Sequence, residues 1–316
     1  MGLFFRLLQN EYVKIYKRLG TWVMVGLLLS IVLIVGIMTK FVFPSEVSED
    51  WRVQLETENA QMQESISNHP MMSAGKQYIT QQVAINEYRL THDLSPESSD
   101  SLWGFMIDAT TFTGVVSLFT IVVAAGIVAS EFTTGTIKLL LIRPVRRSKI
   151  LLSKYITTLL FALFLLMLLF GASFIVGVIF FGYSSVDTPF LAYQNGEVIE
   201  KNMVFYIVSL FGFRSIDLIM MVTVAFMIST VFRSSSLAIG LSLFLMFTGP
   251  QIVQLLGQYD WVKYVLFANT DLKQYVDGTP LIEGMTMSFS VIMLLIYFII
   301  ISAMSWLIFR KRDVAV

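Results

Sequence analysis

The chain alternates between long apolar runs and short polar breaks, and the breaks set its elements. Six runs are nearly free of charge: residues 22–43, 104–129, 155–182, 203–232, 236–257 and 285–309. A helix crossing a ~30 Å hydrocarbon core needs about 20 residues, so each run reads as a transmembrane helix. The fold class expected is an all-α polytopic membrane protein with six spans. Gly249-Pro250 interrupts the fifth run.

The polar segments carry patterns of their own. In residues 1–21, Phe4, Leu7, Leu8, Tyr12 and Ile15 recur at helical spacing among Arg6, Lys14, Lys17 and Arg18. That predicts an amphipathic helix lying in the membrane interface. Residues 44–103 hold two helical stripes, Trp51/Leu55/Met62/Ile66 and Ile79/Val83/Leu90, separated at Asn68-His69-Pro70. They predict a small helical hairpin, and an acidic one, with ten Asp or Glu between Ser45 and Ser101. Residues 183–202 form a short loop with turn signals at Pro189 and Asn195-Gly196. Residues 258–284 are moderately apolar but too broken to span, which suggests an interfacial or re-entrant segment.

Residues 130–154 are the most organised of these breaks. Glu131 is followed by a turn at Gly135 and an apolar helical stripe at Ile137, Leu140 and Leu141. Pro144 stops the stripe, and Ser148 is a candidate cap for the helix that follows. Lys138, Arg143, Arg146, Arg147, Lys149 and Lys154 make the segment strongly basic. With the N-terminal cations, Arg233 and the Arg310-Lys311-Arg312 tail, they outnumber the cations of the alternate loops about two to one. That bias places both termini in the cytoplasm and residues 44–103 outside. The bias explains the charge but not the order of acid, turn, short helix, proline and basic residues. Such an order builds a short amphipathic helix held between two spans, able to pass force to and from a soluble partner.

Composition narrows the chemistry further. The chain of 316 residues is 56% hydrophobic and 14% charged, where soluble domains carry about a quarter charged residues. A net charge of zero gives no reason to expect a nucleic-acid partner. Cysteine is absent, and the two histidines, His69 and His92, lie outside the apolar runs. This leaves no thiolate, no His-cluster metal site and no base for an intramembrane protease. There is no G-x-x-x-x-G-K-[ST] phosphate loop, and the first run lacks a cleavage signal. No catalytic residue, metal site or cofactor of its own is expected, and the chain is not expected to be an enzyme. Arg214 and Asp217 are the charged pair inside an apolar run, three apart and so on one helix face. Intramembrane charges are functional candidates by default; mutual neutralisation is the competing reading. Gly126/Ser130 and Ser236/Gly240 are candidates for close helix contact.

Taken together, Glu131, Gly135-Thr136, Leu139-Leu140-Leu141, Pro144, Arg147 and Lys154 resemble the cytoplasmic loop of ABC-2 type transporter permeases. The N-terminal pattern of Glu11, Lys14 and a basic pair fits the same family, as does the six-span layout. The bacitracin-resistance-type permeases of Gram-positive bacteria are the nearest subgroup. The resemblance implies a bacterial plasma-membrane subunit that forms a homodimer or close heterodimer and binds two copies of a separate ATPase carrying ATP and magnesium. It implies a coupling helix within Glu131–Pro144, flanked by Arg146 and Arg147, and an elbow helix touching the same ATPase through Glu11 and Lys14. The implied activity is export of a hydrophobic or amphipathic substrate, such as a peptide antibiotic, lipid-linked compound or drug. Two other readings remain open: an ion-coupled transporter or channel centred on Arg214 and Asp217, and a non-transporting antimicrobial-peptide sensor or immunity subunit using the 44–103 hairpin.

Overall fold

The computed structural model describes residues 2–43, 50–68, 73–96, 100–136, 145–183, 189–194, 196–232, 234–277, 280–282 and 284–311. It is built almost wholly of helices. An N-terminal helix α1 (Gly2–Tyr16) turns into α2 (Leu19–Phe41), and the pair α3 (Trp51–Asn68) and α4 (Ser73–His92) follows. Next come α5 (Leu102–Ala109), a 3-10 turn at Thr110–Phe112, and α6 (Thr113–Thr133). The long α7 (Arg147–Phe181) leads to strands β1 (Phe190–Gln194) and β2 (Glu197–Lys201). The chain closes with α8 (Met203–Val231), α9 (Ser235–Leu256), the short α10 (Leu266–Asn269) and α11 (Lys273–Val276), and α12 (Met287–Lys311).

Six helical stretches are long and apolar enough to cross a membrane: α2, α5–α6 as one unit, α7, α8, α9 and α12. Leu102–Thr133 is the centre of the bundle. Two-thirds of its most apolar window is buried (67%), against 17% for α12 at the periphery. Small residues allow this: Ala124, Ala125 and Ala129 are all buried, and a Cβ on Gly126 would lie 3.5 Å from the Ser235 hydroxyl of α9. The buried Ser229 hydroxyl of α8 accepts from the main-chain N–H groups of Val128 and Ala129 at 3.2 and 3.0 Å. In lipid, helix association depends on such close packing and polar contacts, because apolar side chains gain little by leaving apolar solvent. Apolar side chains of α2, α9 and α12 are left facing outward, among them Leu27, Ile34, Phe244, Leu255, Ile292 and Ile299.

Several sequence expectations need correction. Arg146, not Ser148, occupies the N-cap position of α7, and no side chain caps it. The helix therefore begins eight residues before the apolar run at 155. Pro250 does not break the fifth span; it lies inside α9. Beside it, a Cβ on Gly249 would come 2.6 Å from the Phe267 ring, so the glycine lets that ring pack on the helix backbone. Residues 190–201 form an antiparallel hairpin rather than a plain loop, with Gly196 at φ 94° in the turn. Asn195 lies outside the described residues.

The helical pair expected between the first two spans is present as α3 and α4. They are joined by a buried amide hydrogen bond from Asn86 to Asn59 at 2.9 Å. The β-hairpin rests on α4, where the Tyr88 hydroxyl donates to Glu200 at 3.2 Å. Because the spans alternate in direction, α3, α4 and the hairpin share one end of the bundle. The N-terminus of α7, the C-terminus of α6 and the C-terminus of α12 share the other. Between α9 and α12, residues 260–277 fold as three short helical turns, consistent with a segment too broken to span.

Candidate functional site: a four-charge junction

The N-terminal helix is amphipathic, but its buried stripe is not the one its apolar residues suggest. Leu7, Glu11 and Ile15 face inward, while Tyr12 is exposed. A carboxylate is thus the middle member of the buried face. The turn into α2 is tied by two side chains that reach back to α1. The Thr21 hydroxyl donates to the Ile15 carbonyl at 2.6 Å, and the Trp22 indole N–H to the Tyr16 carbonyl at 2.9 Å. Both satisfy carbonyls that a helix C-terminus leaves without internal donors. Tyr16 packs edge-on against Phe161 and Phe164 of α7.

Glu11 meets its partners where α6 ends and α7 begins. The Lys154 ammonium donates to Glu11 Oε2 at 2.8 Å and to Glu131 Oε1 at 3.0 Å. Lys14 donates to Glu11 Oε1 at 3.1 Å and to the same Glu131 oxygen at 3.0 Å. Two acids and two bases therefore alternate around a closed ring with no net charge. Lys154 is 1% exposed, Glu11 4% and Glu131 8%. The Thr136 hydroxyl, just past the turn at Gly135, donates to the second Glu131 oxygen.

The energetics explain why the ring has to be complete. Withdrawing a single ion from water costs several kcal/mol even after relaxation, and only well-placed partners offset that cost. Glu131 carries an added penalty, because it lies in the last turn of α6, where the helix dipole disfavours an anion. Burial would lower the Lys14 ammonium, but the carboxylates of Glu11 and Glu131 more than reverse this and hold its pKa above the usual lysine value. A neutral helix end would form more easily with apolar residues. What the ring adds is connection: α1 is clamped to both roots of the segment that runs from α6 to α7.

The expected site residues fall into three groups. Glu11, Lys14 and Glu131 come together in the ring, Thr136 donates to its Glu131 member, and Gly135 (φ 72°) makes the adjoining turn. Ile137, Leu140, Leu141 and Pro144 lie outside the described residues. Arg146 and Arg147 do not join the ring. They start α7 on the side of α12, and the Arg147 guanidinium donates to the Arg310 carbonyl at 3.4 Å.

Sequence reasoning counted Lys154 among the cations of the basic insert, and it is the ring's most deeply buried member. The available signal was its position on α7, on a face shared with Ile150, Ser153 and Thr157, all buried.

Arg214 and Asp217 both lie on α8, and Arg214 has a further partner outside that helix. Arg214 pairs at 3.7 Å with Asp271, from the short-helix segment. Asp271 lies in the segment read only as interfacial or re-entrant, so the sequence offered Asp217 but not Asp271 as a partner for Arg214. Among the described residues, no group of three or more His, Asp or Glu side chains is placed to hold a metal ion.

Comparison with known proteins places this architecture. A family model described as "Protein of unknown function (DUF2705)" matches residues 70–315. The chain belongs to that family. The matched stretch holds Glu131 and Lys154, while Glu11 and Lys14 precede it. A Bacillus subtilis (strain 168) protein named "Uncharacterized protein YhcI" is 45% identical over 313 residues, covering 98% of this chain and 99% of that one. A second protein of that organism, named "Uncharacterized membrane protein YdbK", is 33% identical over 226 residues, or 71% of this chain and 87% of its own length. With its six apolar helices, this member of the family is a membrane-integral protein.

Proposed function

We propose that the chain is the membrane-spanning permease subunit of an ATP-driven ABC exporter. It would move a hydrophobic or amphipathic molecule outward, using a separate ATPase. The observation that carries this reading is the four-charge ring. It fixes α1, the end of α6 and the start of α7 to one another, so the segment between them is held at both roots. A segment anchored in that way can take a push from a soluble subunit and deliver it to two spans at once. An unanchored loop would absorb the push by bending. The resemblance of Glu131 to Pro144 to an ABC-2 coupling segment supplies the identity of the pushing partner.

On this reading ATP and magnesium are held by the partner, and this chain contributes docking and the transport path. Leu140 and its neighbours dock, Gly135 and Thr136 seat the segment on Glu131, and α1 acts as the elbow helix. The outward apolar side chains of α2, α9 and α12 leave room for a second permease copy as well as lipid. Both termini would be cytoplasmic in the bacterial plasma membrane, with α3 and α4 outside.

The test is capture of the tagged chain from its native membranes in mild detergent. A nucleotide-hydrolysing subunit should co-purify, and Leu140→Pro should remove it while leaving the spans folded. Recovery of the chain alone, without nucleotide hydrolysis, would overturn the proposal.

A further inference from the structure

Two recesses meet at the start of α7. The inner one, about 280 Å³, lies between α7, α8 and α12 and is lined largely by Leu151, Tyr155, Phe226, Phe298, Ser302 and Trp306. The outer one, about 480 Å³, is formed by Arg146, Arg147, Ser148, Trp306, Phe309 and Arg310. Ser148 and Trp306 line both, so the two recesses adjoin there and are taken together as one passage. Its mouth is lined by three arginines. The Arg310 guanidinium stacks over the Trp306 ring at 5.2 Å, which places cation and aromatic side by side at the junction.

We infer that this passage binds an anionic phospholipid of the adjoining leaflet, with its phosphate at Arg146, Arg147 and Arg310 and an acyl chain along Tyr155, Phe226 and Phe298. Three features together select this occupant. Charge is the first: a recess with three arginines at a membrane surface attracts phosphate, and guanidinium matches its oxygens two at a time. Length is the second. From Arg310 to Phe298 the groove follows α12 for 12 residues, about 18 Å at 1.5 Å per residue, close to the half-thickness of a ~30 Å core. Chemistry along the way is the third. Ser148 lines both recesses, so a polar side chain stands where the basic mouth meets the apolar interior. An acidic peptide would find the charge but not the greasy interior, and a neutral lipid would find the reverse.

The inference rests on the chain being membrane-integral and does not depend on an ATP-driven partner. It also gives Arg146 and Arg147 a task separate from docking: the lipid would join the start of α7 to the end of α12, which already share the Arg147–Arg310 hydrogen bond.

The experiment is native mass spectrometry of the delipidated full chain, titrated with dioleoyl phosphatidylglycerol or dioleoyl phosphatidylcholine. The expected result is selective retention of phosphatidylglycerol. At about fivefold in affinity per arginine, Arg146→Gln with Arg147→Gln should weaken it about 25-fold. Ser302→Trp, which fills the groove without touching the arginines, should weaken it as well. If the double variant does not fold, Arg310→Gln replaces it, with a loss of about fivefold. Equal retention of the two lipids, or unchanged retention in the arginine variants, would overturn the inference. So would full retention in Ser302→Trp, which would reduce the site to a surface charge patch. Displacement by equimolar inorganic phosphate would assign the mouth to a free anion, and a dimer peak that never carries lipid would assign the groove to a second copy. Either result overturns the lipid assignment.

Discussion

Two charged clusters lie on this bundle, and they are built on opposite principles. At one end, Glu11, Lys14, Glu131 and Lys154 close a ring in which each ion has two partners at 2.8–3.1 Å. At the other, Arg214 reaches Asp271 at 3.7 Å, and the Asp271 side chain is 54% exposed. The ring draws on three helices and holds its central lysine out of water altogether. The pair joins one span to a segment of short turns, with solvent screening one partner. A buried ring loses heavily when one member is removed, whereas an exposed pair is worth about 0–1 kcal/mol. The difference separates a joint that must stay rigid from a contact that can open.

The sharpest way to break this comparison is Lys154→Met. It leaves Glu11 and Glu131 facing each other with only Lys14, and the expected loss is about 3–5 kcal/mol. Thermal unfolding of the detergent-solubilised protein would measure it. Next is Glu131→Gln, which keeps shape and hydrogen-bonding capacity but removes one charge; about 1–3 kcal/mol is expected. A double-mutant cycle on Glu11→Gln and Lys154→Met should show a coupling of about 0.5–3 kcal/mol, because the two share one network. Arg214→Gln should cost about 1 kcal/mol or less. An Arg214→Gln loss as large as that of Lys154→Met would end the distinction.

The smallest effect concerns pH. The Lys14 pKa is raised in the folded protein. Its stabilisation is therefore complete below the ordinary lysine value of 10.5 and fades as pH rises through the raised one. The gap between wild type and Lys14→Met in an alkaline unfolding series should close only above that value. A gap that is constant with pH would show that the Lys14 charge contributes nothing.

Much of this architecture was legible along the chain, because lipid enforces a simple code. The six apolar runs marked the six spanning helices, and stripes such as Leu55 and Val83 marked the α3–α4 pair. What stayed hidden depends on partners distant in sequence. Lys154 looked like one more cation in a basic insert until Glu11, 143 residues away, was brought against it. Tyr12 was read as part of the apolar stripe of an interfacial α1; it is exposed in the structure, and the Glu11 carboxylate beside it faces inward. Arg214 and Asp217 drew attention because charge inside an apolar run is conspicuous. The further partner of Arg214 comes from residues 260–277, whose broken pattern gave no sign of where the segment folds. Pro250 was taken as a break, but a proline can remain in a helix when neighbouring helices support it, as they often do in membranes.

The central claim is that the ring roots a segment through which a soluble ATPase acts. The most direct measurement compares wild type with Lys154→Met in capture from native membranes, scoring only protein that remains folded and monodisperse. The account predicts that wild type carries a nucleotide-hydrolysing subunit and that the variant loses most of it. Equal recovery with both forms, or none with wild type, would contradict it.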